Sequence, residues 1–212
     1  MTRLTAPQPP FLPVAPQAYE QQFHNQHSDV LRLYFNQVNN TVSSLVGTRG
    51  GRFLDVPYAA IQRDTDKTFT ANTATQITFN TNDFLNGCTN NGTDGIGVSQ
   101  SGIYNYQFSV QFANTDTQIH AAWVWLRKNN VDVTGTGSRF DIPAKHGSSD
   151  GYLIAACNFY VELSAGDTVE MMAAVGNVGV YMEAYPAQTT PFARPSIPSV
   201  VATLAFVSNT PA

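Results

Sequence analysis

From Tyr104 to Phe112 the chain alternates without a miss: Tyr104, Tyr106, Phe108, Val110 and Phe112 take one parity, and Asn105, Gln107, Ser109 and Gln111 take the other. Successive side chains of a strand point to opposite faces. The run therefore sets an aromatic wall against a core and amides toward water or a partner. Gly102 opens it, and Asn114 with Asp116 supplies turn chemistry at its end. No other stretch constrains the fold as strongly, and it predicts an all-β domain.

Further β signals run from residue 53 to residue 207. Phe53 to Ile61 reads as a first extended segment, interrupted by Pro57 and therefore expected at a sheet edge. Gln76 to Phe79 is a short strand, and Thr81 to Ser101, rich in Asn, Gly and Thr, is predicted to be a long loop. Ala121 to Arg127 places Trp123 and Trp125 on one face and Val124 and Leu126 on the other, the pattern of a strand covered on both sides. Tyr152 to Leu163 aligns Leu153, Ala155, Cys157, Phe159, Val161 and Leu163, and Gly166-Asp167 turns the chain into Val169, Met171, Ala173 and Val175. Segments at 178–184 and 200–207 complete about eight strands with turns between them, which predicts a sandwich or jelly roll.

The first 52 residues have a different character. Residues 1–16 form an extended arm carrying Pro7, Pro9, Pro10, Pro13 and Pro16. Proline removes backbone donors and favours polyproline II, so the arm cannot build a core of its own. Phe11, Leu12 and Val14 have little use in a solvated linker, and are read as an anchor lying in a groove of another protein. Residues 17–47 read as a helix with Leu31, Tyr34, Val38 and Leu45 along its seam, widened by Phe35 and Val42. A break is expected near Ser28-Asp29 and a stop at Gly47. Such a helix is marginal in isolation and needs a partner. Residues 48–52, including Arg49-Gly-Gly-Arg52, are read as a hinge, and 208–212 as a short tail.

Only 12% of the 212 residues are charged, and the net charge is −4. A surface of amides and hydroxyls with a mild negative balance offers no field for nucleic acid or an anionic membrane. No segment approaches the ~20 apolar residues of a membrane span. The prolines also stand where the apolar stretch of a secretion signal would lie, so synthesis in a reducing cytoplasm is expected. There Cys88 and Cys157 are read as unpaired thiols.

Chemistry-bearing clusters are sparse. His24 and His27 lie three apart on the helix, without the further ligands a structural zinc requires, and are read as polar seam positions. Asp132, Asp141 and Asp150 follow strands but match no calcium-loop spacing. His120 and His146 have Ser and Asp residues nearby in sequence, yet no nucleophile elbow, zinc-protease motif or phosphate loop accompanies them. The expectation is a protein that is not an enzyme and carries no cofactor. Trp123 and Trp125 are read as core or subunit interface rather than as a sugar platform.

Three segments carry a family resemblance. Gly102-Ile-Tyr-Asn-Tyr-Gln-Phe-Ser-Val-Gln-Phe112 resembles the central strand of C1q/TNF-like jelly rolls. Trp123-Val-Trp-Leu-Arg-Lys-Asn-Asn130 looks like that family's next hairpin, with Asn130 at a position usually held by Gly. Leu163-Ser-Ala-Gly-Asp-Thr-Val169 resembles its Leu-x-x-Gly-Asp-x-Val turn. The ending, Phe192 to Phe206, departs from the animal proteins. Together with Ala74 to Phe84 and Leu31-Arg-Leu-Tyr-Phe-Asn-Gln37, it is similar to virion structural proteins of tailed bacteriophages.

The resemblance implies a jelly-roll sandwich over residues 53–207. It also implies a homotrimer joined through aromatic sheet faces, with Tyr104, Tyr106, Phe108, Phe112, Trp123 and Trp125 as core or trimer-interface residues. The implied role is that of a virion surface protein whose N-terminal anchor meets major capsid or tail and neck proteins, as a capsid decoration protein or head fibre. The alternative is a tail-fibre module whose loops at 80–101 and 134–151 bind a host surface glycan or protein.

Overall fold

The computed structural model describes residues 7–46, 56–93 and 95–210. Gly47, the expected hinge at 48–52 and the first residues of the predicted β segment lie outside the described residues. The chain divides into two units, Met1–Asp55 and Val56–Ala212.

In the first unit, residues 7–20 have no regular structure beyond a bend, and one helix follows, α1 (Gln21–Val46, 26 residues). It runs unbroken through Ser28-Asp29, contrary to the expected interruption. Asp29 pairs within the helix with Arg32 at 2.6 Å, an i,i+3 contact that supports helical geometry where an N-cap was expected. Thr41 and Ser44 return their hydroxyls to the carbonyls of Gln37 and Asn40, so these polar residues bond within the helix.

The second unit holds thirteen strands among its described residues: β1 (Tyr58–Arg63), β2 (Thr75–Ile77), β3 (Thr81–Asn86), β4 (Cys88–Asn90), β5 (Ile96–Val98), β6 (Gly102–Asn114), β7 (His120–Lys128), β8 (Val131–Asp132), β9 (Ser138–Ile142), β10 (Gly151–Leu163), β11 (Thr168–Val175), β12 (Val180–Met182) and β13 (Val200–Ser208). They form two antiparallel sheets. Sheet A has the order β10-β6-β13-β1-β3, with β12 continuing the β13 edge of β6. Sheet B has the order β4-β5-β11-β7-β8, with β2 beside β11 and β9 beside β7. From β6 to β7, β9 to β10 and β10 to β11 the chain changes sheet, giving a mainly β jelly-roll sandwich.

Alternation along β6 works as its sequence predicts. Tyr104, Tyr106, Phe108, Val110 and Phe112 face inward and are buried, meeting Ala155 and Val161 of β10 and Val200, Ala202 and Leu204 of β13 along the same sheet face. Sheet B closes the core with Val124 and Leu126, Val169, Met171, Ala173 and Val175, and Ile77, Ile96 and Val98. Each such side chain contributes about 1.5–3 kcal/mol on burial, which makes this interface the main source of stability.

Three expectations are corrected. Residues 81–101 are not a loop but contribute β3, β4 and β5. Asn and Thr side chains obscure a strand pattern in which Cys88, Ile96 and Val98 are buried. Pro57 precedes β1 instead of interrupting it, and β1 lies between β13 and β3 rather than at an edge, because every N–H that pairs belongs to a residue after the proline. The strand bearing the tryptophans is not covered on both faces of the chain: Val124 and Leu126 enter the core, while Trp123 remains 37% exposed on the outer face.

Candidate functional site

The anchor residues are open. Phe11 is 93% and Val14 86% exposed, with Leu12 also exposed, and no described residue of α1 is buried. The seam of α1 is visible as a stripe of half-buried positions, Leu31, Tyr34 and Val38, with Leu45 exposed. Leu33, Phe35 and Val42 add exposed apolar surface outside that stripe. His24 stacks on Tyr19 at 4.8 Å between ring centroids, and His27 on Phe23 at 5.9 Å. Those rings account for the two histidines, and no group of metal-type ligands occurs among the described residues.

Tyr104, Tyr106, Phe108 and Phe112 lie in the core of a single chain. The aromatic face of β6 is therefore not available to a second copy, and any contact between copies must use other surfaces. Trp123 and Trp125 are brought to the outer face of sheet B. The Trp125 indole N–H donates to Asp132 at 2.8 Å, which fixes its ring, and Trp123 stands opposite Arg139, itself paired with Asp141 at 2.8 Å.

The three aspartates considered for calcium are kept apart by these pairings, Asp150 lying 3.7 Å from Lys145. His120 and Asp116 do meet, at 2.8 Å, and Asn177 also donates to that carboxylate. The His120 hydrogen bond, reinforced by the Thr117 N–H, holds the Asp116 carboxyl below its usual range. Among the described residues no hydroxyl or thiol is hydrogen-bonded to His120, and the pair ties the β6–β7 connection. His146 exchanges backbone hydrogen bonds with Ser149. Cys88 and Cys157 are both free thiols.

The aromatic residues on the outer face of sheet A were not anticipated from the sequence. Register places side chains in rows across it: Tyr160, Asn105, Ala205, Tyr58 and Asn86 in one, and Asn158, Gln107, Thr203, Ala60 and Phe84 in the next. Neither row contains a charge. Tyr58, Phe84 and Tyr160 are exposed, and the buried Asn105 side-chain oxygen has no hydrogen-bond partner among the described residues. The amide parity of β6 already signalled this face, but its aromatic rim comes from β1, β3 and β10 and requires the register to be seen.

At the far end of the same face, roughly 20 Å along β6 from Asn105, lies a depression lined by Gln111, Tyr152, Ile154, Glu183 and Tyr185. The Glu183 N–H bonds the Gln111 carbonyl, which sets Glu183 beside β6, and the Tyr185 hydroxyl donates to the Glu183 carboxylate.

No helix among the described residues is long and apolar enough to cross a membrane. No family model matches the chain. No curated protein matches it either. Among solved structures, the chain is similar to the globular domain of zebrafish complement 1qA protein, with 13% identity over 73% of this chain and 99% of that one and a TM-score of 0.45.

Proposed function

We propose that the protein is a non-enzymatic structural component of a virus particle, in which the N-terminal unit attaches a jelly-roll head to the particle surface. The carrying observation is the contrast between the two units. The sandwich encloses a continuous apolar core, whereas no described residue of α1 is buried and Phe11, Leu12, Val14, Leu33, Phe35 and Val42 stay exposed, a surface that calls for a partner. The resemblance of residues 31–37, 74–84 and 192–206 to tailed-phage virion proteins supports this kind of particle, and capsid decoration or a head fibre is the assignment. Major capsid or tail and neck proteins are the docking partners.

Self-association into a trimer belongs to the same proposal. The uncharged rows around Asn105 and Gln107, rimmed by Tyr58, Phe84 and Tyr160, are the surface assigned to it, replacing the core aromatics. Trimerisation would present three arms at once, so that modest single-arm binding becomes firm attachment.

The test is deletion of residues 1–47 followed by particle assembly. The proposal requires the truncated protein to stay soluble and folded but to be absent from purified particles. Its incorporation at normal occupancy would overturn the anchor. Light scattering on the full chain tests the trimer, and a monomer mass would remove it.

A second reading, a receptor-binding module of a tail fibre, is favoured by one observation. Trp123 is exposed beside the Arg139–Asp141 pair, an aromatic surface next to planar hydrogen-bonding groups of the kind that suits a host glycan. Glycan-array binding that disappears in Trp123→Ala would favour it over decoration.

A further inference from the structure

The depression at the end of sheet A has a chemistry that neither anchoring nor trimerisation uses. Two rows of the outer face build it. Tyr152 and Tyr181 stand on either side of Ala113, opposite it in the two ladders, and Ala113 is fully buried. In the next row Ile154 lies opposite Gln111, with Glu183 hydrogen-bonded to Gln111 on the other side. Tyr185 completes the wall with its hydroxyl on Glu183.

Glu183 is thus a carboxylate among phenol rings. No Lys or Arg nitrogen comes within ion-pair distance of it among the described residues. Asp150, a second acid acting on Tyr181, is paired with Lys145, and Asp66 is hydrogen-bonded to the Ala184 N–H. Burial first, and then the Glu183 charge, push the Tyr181 hydroxyl well above its ordinary value; burial and hydrogen bonds to Glu183 and Tyr152 do the same to Tyr185. Burial is the larger cause of both shifts, and the Glu183 carboxylate adds to it.

The rings themselves favour positive charge. The guanidinium of Arg194 already sits 5.5 Å from the centroid of the Tyr185 ring, held there by the carbonyls of Pro186 and Pro195. Among the described residues no ion pair joins Arg194 to Glu183. Tyr152 and Ile154 stay exposed at the rim, so the depression is open to solvent.

We propose that this depression binds an organic cation, an ammonium or guanidinium group received between the Glu183 carboxylate and the Tyr152 and Tyr185 rings. A ring quadrupole attracts a cation by about 0.5–2 kcal/mol, and the carboxylate adds charge that a neutral ligand cannot use. A sugar fits less well, because a neutral hydroxyl gains nothing from the carboxylate charge.

The experiment uses the full chain and ligand-observed NMR with three probes: choline, its neutral isostere 3,3-dimethyl-1-butanol, and N-acetylarginine amide. At least one cation should bind at least about tenfold more tightly than the neutral alcohol, and Glu183→Gln should weaken it by a similar factor. Tyr152→Ala, at an exposed position that leaves the core intact, should weaken it several-fold. Choline ahead of the arginine derivative assigns a free quaternary ammonium ligand, and the reverse order assigns a side chain of a protein partner. Equal binding of the neutral alcohol, no binding of either cation, or binding unchanged in folded Glu183→Gln overturns the proposal. Neither result bears on particle attachment, which the deletion of residues 1–47 tests separately.

Discussion

Arg127 and Glu170 stand opposite each other in the β7–β11 ladder, and the guanidinium Nε of Arg127 donates to a carboxylate that is only 2% exposed. The second Glu170 oxygen accepts the Asn130 N–H at 3.1 Å. One carboxylate thereby ties two strands to the hairpin turn at Asn129-Asn130, where both residues have positive φ, 48° and 66°. Removing one partner of a buried pair leaves an uncompensated charge, which costs about 3–5 kcal/mol. Glu170→Ala should lower stability at the lower end of that range, because Arg127 is partly exposed. The Glu170→Ala/Arg127→Ala double variant should cost less than the sum of the singles. Urea denaturation of all three variants checks the cycle.

The Tyr106 hydroxyl is buried in the core without a hydrogen-bond partner among the described residues, whereas the Tyr104 hydroxyl donates to the Gln100 carbonyl at 2.7 Å. The same substitution should therefore act in opposite directions at these two positions. Tyr106→Phe removes an unsatisfied polar group and should stabilise the sandwich by about 1 kcal/mol, while Tyr104→Phe should cost about 1 kcal/mol. Thermal melts of the two variants give the signs directly.

Asp167 organises the turn between β10 and β11. It accepts the Ser164 N–H at 2.8 Å and the Asn129 amide at 2.7 Å, with the Lys128 ammonium 3.5 Å away. Chiefly the Ser164 N–H holds its carboxyl below the usual range, against a smaller opposing effect of burial. Because the folded-state value is depressed, the contribution is complete above the unfolded value of about 3.9 and is lost as pH falls through the lower folded value. Asp167→Asn should therefore be less stable than the parent at neutral pH, and the urea midpoints of the two should converge below about pH 4.

At the alkaline end, burial pushes the Cys88 thiol up to about 11. A thiol kept neutral by the fold is disfavoured once the unfolded chain can ionise. Stability should fall as pH rises from the ordinary thiol value, about 8.5, toward 11. Under native conditions near pH 8, alkylation should modify Cys157 before Cys88, as read by peptide mass spectrometry. Faster labelling of Cys88 would contradict its burial.

The parts of the fold legible in the sequence are those where side-chain parity and burial coincide. β6, β10 and β11 announce themselves because their inward positions are large and apolar, and the Gly166-Asp167 turn uses residues with few other purposes. The segment 81–101 hid its strands for the opposite reason. β3 lies at a sheet edge with Asn82, Asp83, Phe84 and Leu85 all exposed, so its residues carry no alternation. Trp123 and Trp125 read in sequence as core or subunit interface, and β7 excludes the first half of that reading by giving its inner face to Val124 and Leu126. The Glu183 depression is illegible in one dimension: Gln111, Tyr152 and Glu183 come from three strands or their ends, and only register joins them.

β13 lies in the middle of sheet A, between β6 and β1, although it is the last strand of the described chain. During synthesis β1 and β6 must therefore wait, each with one edge unpaired, until residues 200–208 have left the ribosome. Unpaired strand edges recruit other chains, so the nascent sandwich is a template for mispairing throughout that interval. The sparing use of charge on its outer face leaves little to repel a neighbour. Completion of sheet A thus waits on β13, and a ribosome stalled shortly before Ser199 would release a product prone to aggregate.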